Sequence, residues 1–294
     1  MNKFNATFNA TFYLSIVAIF KNEKDILTEW LEHHHRQGVE HFYLIDNGST
    51  DDYKTAIAPY RHLVDLVVDP QRYKQPEHYN RHFLKKSKSE SEWVMVIDLD
   101  EFVYAQKGPK GLFRSITDYL RSLDDTIGQV YIPWKEYGSN GHLQQPPRQS
   151  GGCLANFIRR KLYRNETQTH TKTITRTRYL TRMWIHHSFI QTDHAREITS
   201  DGRPRQTGDG TGVGVGTSAP VLPYMAPISE TILKRSALHC NHYYSRSFEW
   251  FRQVKMTRGS ASAQSDEKDL CLNRFNQWNL ETNQVVDMGF LQIR

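Results

Sequence analysis

The sequence predicts an α/β fold with a mainly parallel sheet, and three observations predict it. Residues 12–102 alternate between short apolar runs and helix-compatible stretches, in the order strand–helix–strand–helix–strand–helix–strand. The run at 93–97 is bulky and apolar without helical spacing, as in a strand buried on both faces. Acidic clusters follow two of the runs, at Asp46 and at Asp98. Parallel sheets of this kind bind ligands at the carboxyl ends of their strands, so both clusters are expected on one rim.

Taken in order, residues 1–11 carry a Phe-Asn-Ala-Thr repeat and read as a flexible tail. Residues 13–20 are the expected first strand. This stretch has the look of a signal-peptide core, but it lacks a small-residue cleavage site and runs into Lys21-Asn22-Glu23-Lys24-Asp25. A helix is expected over 25–37, with Ile26, Leu27, Trp30, Leu31 and His34 on one face and Gly38 as its stop. Consecutive helical residues point about 100° apart, so His33-His34-His35 cannot close on one ion. His34 is expected to pack and its neighbours to face solvent. The second strand, 39–45, ends in Asp46-Asn47-Gly48-Ser49-Thr50-Asp51-Asp52, a turn that also caps a helix starting near Tyr53. A third strand covers 63–68, and a polar helical stretch at 76–89 leads to the strand before Asp98.

The second half is less regular. A helix is expected over 112–123 and a strand over 130–134, followed by a glycine-punctuated loop through Glu136, Tyr137 and His142. Residues 172–178 alternate in the β manner with a basic face. Residues 199–220 are rich in glycine and poor in large apolar side chains, as in a mobile loop that closes over a ligand. Gly212-x-Gly214-x-Gly216 has neither the strand nor the helix of a dinucleotide fingerprint. A basic helix spans 247–258, with Ser247 as its N-cap and Lys255 and Arg258 available to a diphosphate.

Composition narrows the functional classes. The chain has 294 residues, 38% hydrophobic and 12% aromatic, enough for a sizeable core. The net charge of +6 suits phosphorylated ligands or an anionic membrane surface. Its basic residues are scattered, which disfavours nucleic acid. Cys153, Cys240 and Cys271 are far apart, so neither a zinc motif nor a disulfide framework is indicated, and a reducing compartment is expected. Four Asn-x-Ser/Thr sequons, at Asn5, Asn9, Asn47 and Asn165, are read as chance in the absence of a secretory signal. No apolar run reaches the roughly 18 residues of a membrane span. The expected location is the cytoplasm, with peripheral association at the inner face of the membrane as the alternative.

The chemistry sits at Asp98-Leu99-Asp100. In an extended chain Asp98 and Asp100 project to one side, making an oxygen-rich site suited to Mg²⁺ or Mn²⁺. Asp-x-Asp after an apolar strand is also the nucleophile pattern of HAD-like phosphatases. The paired-acid motif expected downstream in those enzymes is missing.

Five blocks in order carry a resemblance. They are Ala18-Ile19-Phe20-Lys21-Asn22-Glu23 with Glu29-Trp30-Leu31, Asp46-Asn47-Gly48-Ser49-Thr50-Asp51, Asp98-Leu99-Asp100-Glu101-Phe102, Trp134 with Tyr137-Gly138-Ser139-Asn140-Gly141, and His242-Tyr243 with Ser247, Lys255 and Arg258-Gly259. Together they resemble family 2-like and family 92-like glycosyltransferases over residues 13–260. The resemblance implies a GT-A (Rossmann-like nucleotide-binding) fold, with residues 12–294 as one domain. Residues 12–104 would be the nucleotide-sugar-binding half, and 105–294 an irregular acceptor half with C-terminal helices. It implies a nucleotide-sugar donor, with a UDP-sugar expected, a glycan or other hydroxyl acceptor, and Mn²⁺ or Mg²⁺. By the same resemblance Lys21, Asn22, Glu23, Asp46, Asn47, Ser49 and Asp98 meet the nucleotide, Lys255 and Arg258 the diphosphate, and Asp98, Asp100 and His242 the metal. For an inverting reaction Glu136, or secondarily Asp193, is the expected base. Tyr137 stands where the family more often has Phe, and the glycine-rich insertion matches no family block. A non-catalytic binding protein of the same fold is the alternative.

Overall fold

Four strands, β1 (Phe12–Phe20), β2 (His41–Asp46), β3 (Val64–Val68) and β4 (Ser91–Val96), lie parallel in the order β3-β2-β1-β4. They belong to a computed structural model that describes residues 10–106, 113–191, 193, 195–205, 222–258 and 272–289. The remaining strands are β5 (Glu101–Ala105), β6 (Ile127–Glu136), β7 (Arg159–Arg160), β8 (Thr167–Arg176), β9 (Leu180–Arg182), β10 (Phe189–Ile190), β11 (Arg196–Thr199), β12 (Met225–Ile228), β13 (Leu238–His242) and β14 (Val285–Val286). The main sheet has ten strands and continues from β4 through β8, β6 and β13 to β5, with β11 joined to β6 and β12 to β8. β8 and β5 run against their neighbours, whereas β13 and β11 lie parallel to β6.

The helices are α1 (Lys24–Arg36), α2 (Tyr53–Ile57), α3 (Gln75–His82), α4 (Leu84–Glu90), α5 (Ile116–Arg121), α6 (Gly152–Asn156), α7 (Glu230–Arg235), α8 (Phe248–Trp250), α9 (Met256–Arg258) and α10 (Leu272–Thr282). A π turn, Phe251–Lys255, joins α8 to α9. The strands expected at 13–20, 39–45, 63–68 and 93–97 and the helix at 25–37 all form, with ends displaced by one or two residues. β4 is buried on both faces, as its composition predicts. Trp93 and Met95 join Leu14, Ile16, Trp30 and Leu31 in one cluster, and Val94 and Val96 join Val17, Ile45, Tyr79 and Phe83 in the other. Period-two alternation within a doubly covered strand gives this split.

One expectation is corrected here. His33 was expected in solvent but is buried, and α1 uses it with His34 and Gln37 to close the outer edge of β5. His33 Nε2 lies 2.7 Å from the Val103 carbonyl, Val103 N donates to His34 Nε2 (3.2 Å), and Ala105 N donates to Gln37 Oε1 (3.0 Å). An edge strand thereby gains side-chain partners in place of another strand. Within the basic face of 172–178, Lys172 is fully buried and Arg176 nearly so, with Arg176 on Glu92 (2.7 Å) and over the Trp93 ring, while Arg178 is exposed.

Gly38 stops α1 with φ +92°, where a Cβ would meet Thr117 Oγ1 at 1.6 Å. Ser115 caps α5 through Asp118 N (3.1 Å), shorter than the helix expected over 112–123. The tail at 1–9, the glycine-rich stretch at 206–221 and Cys271 lie outside the described residues. Among the described residues, no helix is long and apolar enough to cross a membrane.

Candidate functional site

The carboxyl ends of β1, β2, β4, β6 and β13 share one rim, because these strands run in one direction through the sheet. Lys21-Asn22-Glu23 follows β1, Asp46 ends β2, Asp98 follows β4, Glu136 ends β6 and His242 ends β13. The two acidic clusters therefore come together as expected.

Asp98 and Asp100 do not sit in extended chain. β4 stops at Val96, and Glu101 N donates to the Asp98 carbonyl (3.1 Å), closing a turn. Asp98 N in return donates to Glu101 Oε2 (2.8 Å), and the Trp30 indole holds the Asp98 and Glu101 carbonyls at 3.2 and 2.9 Å. The Asp98 carboxylate accepts from Gln75 Nε2 (3.0 Å) and Lys172 Nζ (2.7 Å). Lys172 also lies 3.1 Å from Glu101 Oε2. Burial works against the Lys172 charge, but Asp98 and Glu101 overcome it and hold its pKa above the usual range. Burial pushes the Glu101 carboxyl up to about 8 against the pull of Lys172, helped by Asp98 and Asp100. One ammonium is thus shared by two acids, and Glu101 is the weaker claimant.

Asp100, 4% exposed, faces the second half of the chain. Its Oδ2 accepts from Lys255 Nζ at 2.7 Å, and its Oδ1 lies 3.7 Å from His242 Nε2. Lys255 is the last residue of the π turn, a feature that re-aims side chains at functional sites. Ser247 caps this helix through Trp250 N (3.1 Å), as its sequence predicts. Burial drives the His242 imidazole down to about 4, against the attraction of Asp100, so the ring is neutral. His242 packs on the Trp134 indole, ring centroids 4.0 Å apart.

The β1 and β2 loops are tied together. Asn22, at φ +56°, accepts from Thr50 N (2.7 Å), and its own N–H donates to Ser49 Oγ (3.0 Å). Asp46 Oδ1 accepts from Ser49 N (2.7 Å), while Asn47 Nδ2 donates to the Asp69 and Gln71 carbonyls, both at 2.8 Å. Glu23 is buried on Arg246 (2.8 Å), which gives it a structural pairing between the two halves. Lys21 is half-buried at the end of β1. The Arg258 side chain lies outside the described residues. A cleft of about 600 Å³ beside α1, lined by Lys24, Glu29, Arg148 and Arg246, adjoins the rim without including Asp46, Asp98, Asp100 or His242.

Glu136 lies in register with His242 across β6 and β13 and is met by Lys161 (3.4 Å) and the Tyr163 hydroxyl (3.3 Å). Asp193 is not at this rim. β11 begins beside the start of β6, with Arg196 opposite Ile127, so Asp193 lies at the amino end of β6. Glu136 is nine residues further along that strand, about 30 Å away. Sequence reasoning missed Gln75, Lys172 and the ring of His170, whose centroid lies 5.1 Å from that of Trp134, 4.8 Å from His186 and 5.5 Å from Tyr224. The alternation at 172–178 marked Lys172 as facing one way, but nothing local showed that this way was inward.

A divalent cation fits part of the expected set. Asp100 Oδ1 and the neutral His242 Nε2, 3.7 Å apart, can both reach one ion at bonds of about 2.1 Å, which span up to about 4.2 Å. Asp98 is held by Gln75 and Lys172, and among the described residues it does not form with Asp100 and His242 a set of ligand atoms all within 4.8 Å of one another.

A family model, glycosyltransferase family 92, matches residues 11–202. The chain belongs to glycosyltransferase family 92. Relatives include family 92 proteins of Ricinus communis (26% identical over 144 residues, 46% of this chain and 24% of that protein) and Oryza sativa subsp. japonica (24% over 140 residues, 46% and 23%). The chain spans about a quarter of the length of these relatives. Solved structures with similarity include S. aureus TarS 1–349 in complex with UDP (17% identity, TM-score 0.37, covering 56% of this chain and 47% of that one). The same protein with UDP-GlcNAc gives 16% identity and a TM-score of 0.36, covering 67% and 60%. Family 92 membership decides between the two resemblances drawn from sequence and removes the HAD-like phosphatase alternative. The fold is mixed α/β, with Asp46, Asp98 and Asp100 on the rim at the carboxyl ends of its parallel strands.

Proposed function

We propose that this family 92 chain transfers a sugar from a nucleotide-sugar, a UDP-sugar, to a hydroxyl of a glycan or other acceptor, with inversion. The observation that carries this reading is the meeting of Asp100, His242 and Lys255 beside Asp46 and Asp98. A leaving nucleoside diphosphate gathers negative charge, and the Lys255 ammonium on this rim is placed to receive it. Asp46 and Asn47, with Asn22 and Ser49 bracing their loop, line the nucleoside end. Lys255 moves from Asp100 to the diphosphate when the donor enters. Lys172 stays buried and sets the position of Asp98. Glu136 accepts the proton of the attacking hydroxyl, and the aromatic group around Trp134 provides a flat apolar surface for a sugar ring. Asp100 and His242 would hold Mn²⁺ or Mg²⁺, which when bound neutralises the diphosphate.

The test is a donor screen with and without Mn²⁺, reading nucleotide release, on wild type and Asp100→Asn. The expected result is release from one UDP-sugar that falls at least about 100-fold in the variant, with its melting curve preserved. A folded Asp100→Asn that turns over donor at the wild-type rate would overturn the assignment. Binding of UDP without turnover of any donor would leave a nucleotide-binding protein.

A further inference from the structure

The loop after β3 and the helix α3 hold a second cluster of ligating side chains, which the proposed transfer does not use. Asp69 follows the end of β3. His78 and His82 stand four residues apart on α3, so both rings emerge on the helix face that meets this loop. Asp69 Oδ2 is 3.0 Å from His78 Nδ1 and 2.8 Å from His82 Nε2. One donor atom from each of the three lies within 4.8 Å of the others. Two ligands at right angles on an ion with bonds of about 2.1 Å are about 3.0 Å apart.

The hydrogen-bond pattern is a second, independent observation. His78 is fully buried, and its Nε2 lies 2.8 Å from the Gln71 carbonyl. A carbonyl oxygen only accepts, so Nε2 carries the hydrogen. In a neutral ring Nδ1 is then a bare lone pair, and it faces a carboxylate oxygen, another lone pair. Nδ1 is buried and lacks a hydrogen-bond partner among the described residues. A cation between these two atoms replaces the clash by two bonds. The Gln71 carbonyl then plays the part of the outer acceptor that orients a ligating histidine.

We propose that Asp69, His78 and His82 bind a divalent transition-metal ion of the Zn²⁺ class. Two imidazoles and one carboxylate select such an ion over Mg²⁺. His82 is 21% exposed at its side chain, which leaves an open side for water. Arg81 also reaches Asp69 Oδ2 (3.3 Å) but is half exposed and free to turn outward. The ion staples the loop to α3. Asn47, next to Asp46, donates to two carbonyls of that loop, so the staple also fixes a wall of the rim.

The test uses the full chain without an affinity tag, stripped with chelator and titrated with Zn²⁺, and with Co²⁺ as a spectroscopic probe. Wild type and Asp100→Asn are expected to bind one equivalent of Zn²⁺ and to show the absorption of imidazole-bound Co²⁺. Affinity is expected to fall by about tenfold or more in His82→Gln and in Asp69→Asn. His82 is partly exposed, so His82→Gln keeps its fold by circular dichroism. Binding in Asp100→Asn separates this site from any ion held by Asp100 and His242. Equal Zn²⁺ binding by wild type and folded His82→Gln would overturn the proposal. So would an absence of binding in wild type, which would make His78 an imidazolium paired with Asp69.

Discussion

Lys172 decides how the acidic turn is arranged. It is fully buried, it lies 2.7 Å from Asp98 and 3.1 Å from Glu101, and its carbon stem reaches them from the middle of β8. Removing one partner of a buried ion pair strands the other charge, which costs about 3–5 kcal/mol. Lys172→Met is therefore expected to lower stability by about that much in urea unfolding. Adding Asp98→Asn should recover part of the loss, because the acid left beside the missing ammonium is then neutral. Full additivity of the two changes would show that Lys172 and Asp98 are not coupled. The acids themselves were legible in the sequence as a string after an apolar run. Their partner was not, because period-two alternation identifies two faces without saying which one is covered. The same limit applies to Asp193: its sequence neighbourhood is polar and loop-like, and only the pairing of β11 with β6 shows that it sits at the wrong end.

At the scale of elements, α1 has two roles that its hydrophobic pattern shows only in part. Leu27, Trp30 and Leu31 fill the core, as the spacing of apolar residues predicts. The three polar residues His33, His34 and Gln37 close the edge of β5, and no pattern of hydrophobicity encodes that. The histidines drew notice in the sequence as a metal candidate, and geometry on a helix correctly dismissed it. The positive role depended on β5, whose position beside α1 is a tertiary fact. His33→Ala is expected to cost about 1–3 kcal/mol, since the buried Val103 carbonyl loses its donor. Thermal unfolding of the variant checks this, with His35→Ala, an exposed position, as the silent control. A His33→Ala protein as stable as wild type would mean that water replaces the imidazole.

Across the whole molecule, the ten-stranded sheet interleaves the two halves: β5 from the first half ends up beside β13 from the second, beyond β8 and β6. The parallel β1–β4 core was readable because each strand is a separate apolar run with its own crossover helix. The order of the later strands was not, because β8 and β6 pair at long range and the sequence of β8 is polar. A consequence of this shared interior is a set of titrating groups sealed within one fold. Burial, as the leading cause, lowers His33 to about 4 and His239 to about 3, and holds His34 well below its usual value. In the unfolded chain these rings take up protons near pH 6.5, and in the folded chain only below about 4. The unfolded state therefore binds more protons in this window, and stability falls as the pH drops from about 6.5 toward 4. A ring shifted from 6.5 to about 4 contributes about 3 kcal/mol to that loss. Glu101 has the opposite sign. Its folded value of about 8 exceeds the unfolded 4.5, so its contribution is complete at low pH and is lost as the pH rises through about 8. Melting temperature is thus expected to peak near pH 6.5 and to fall from there to about pH 8. Glu101→Gln should flatten the fall above pH 6.5, while His33→Gln should weaken the acid limb and leave the fall above pH 6.5 in place. Thermal melts from acid to alkaline pH on the three proteins read this directly, and a fall from pH 6.5 to about 8 that persists in Glu101→Gln would refute it.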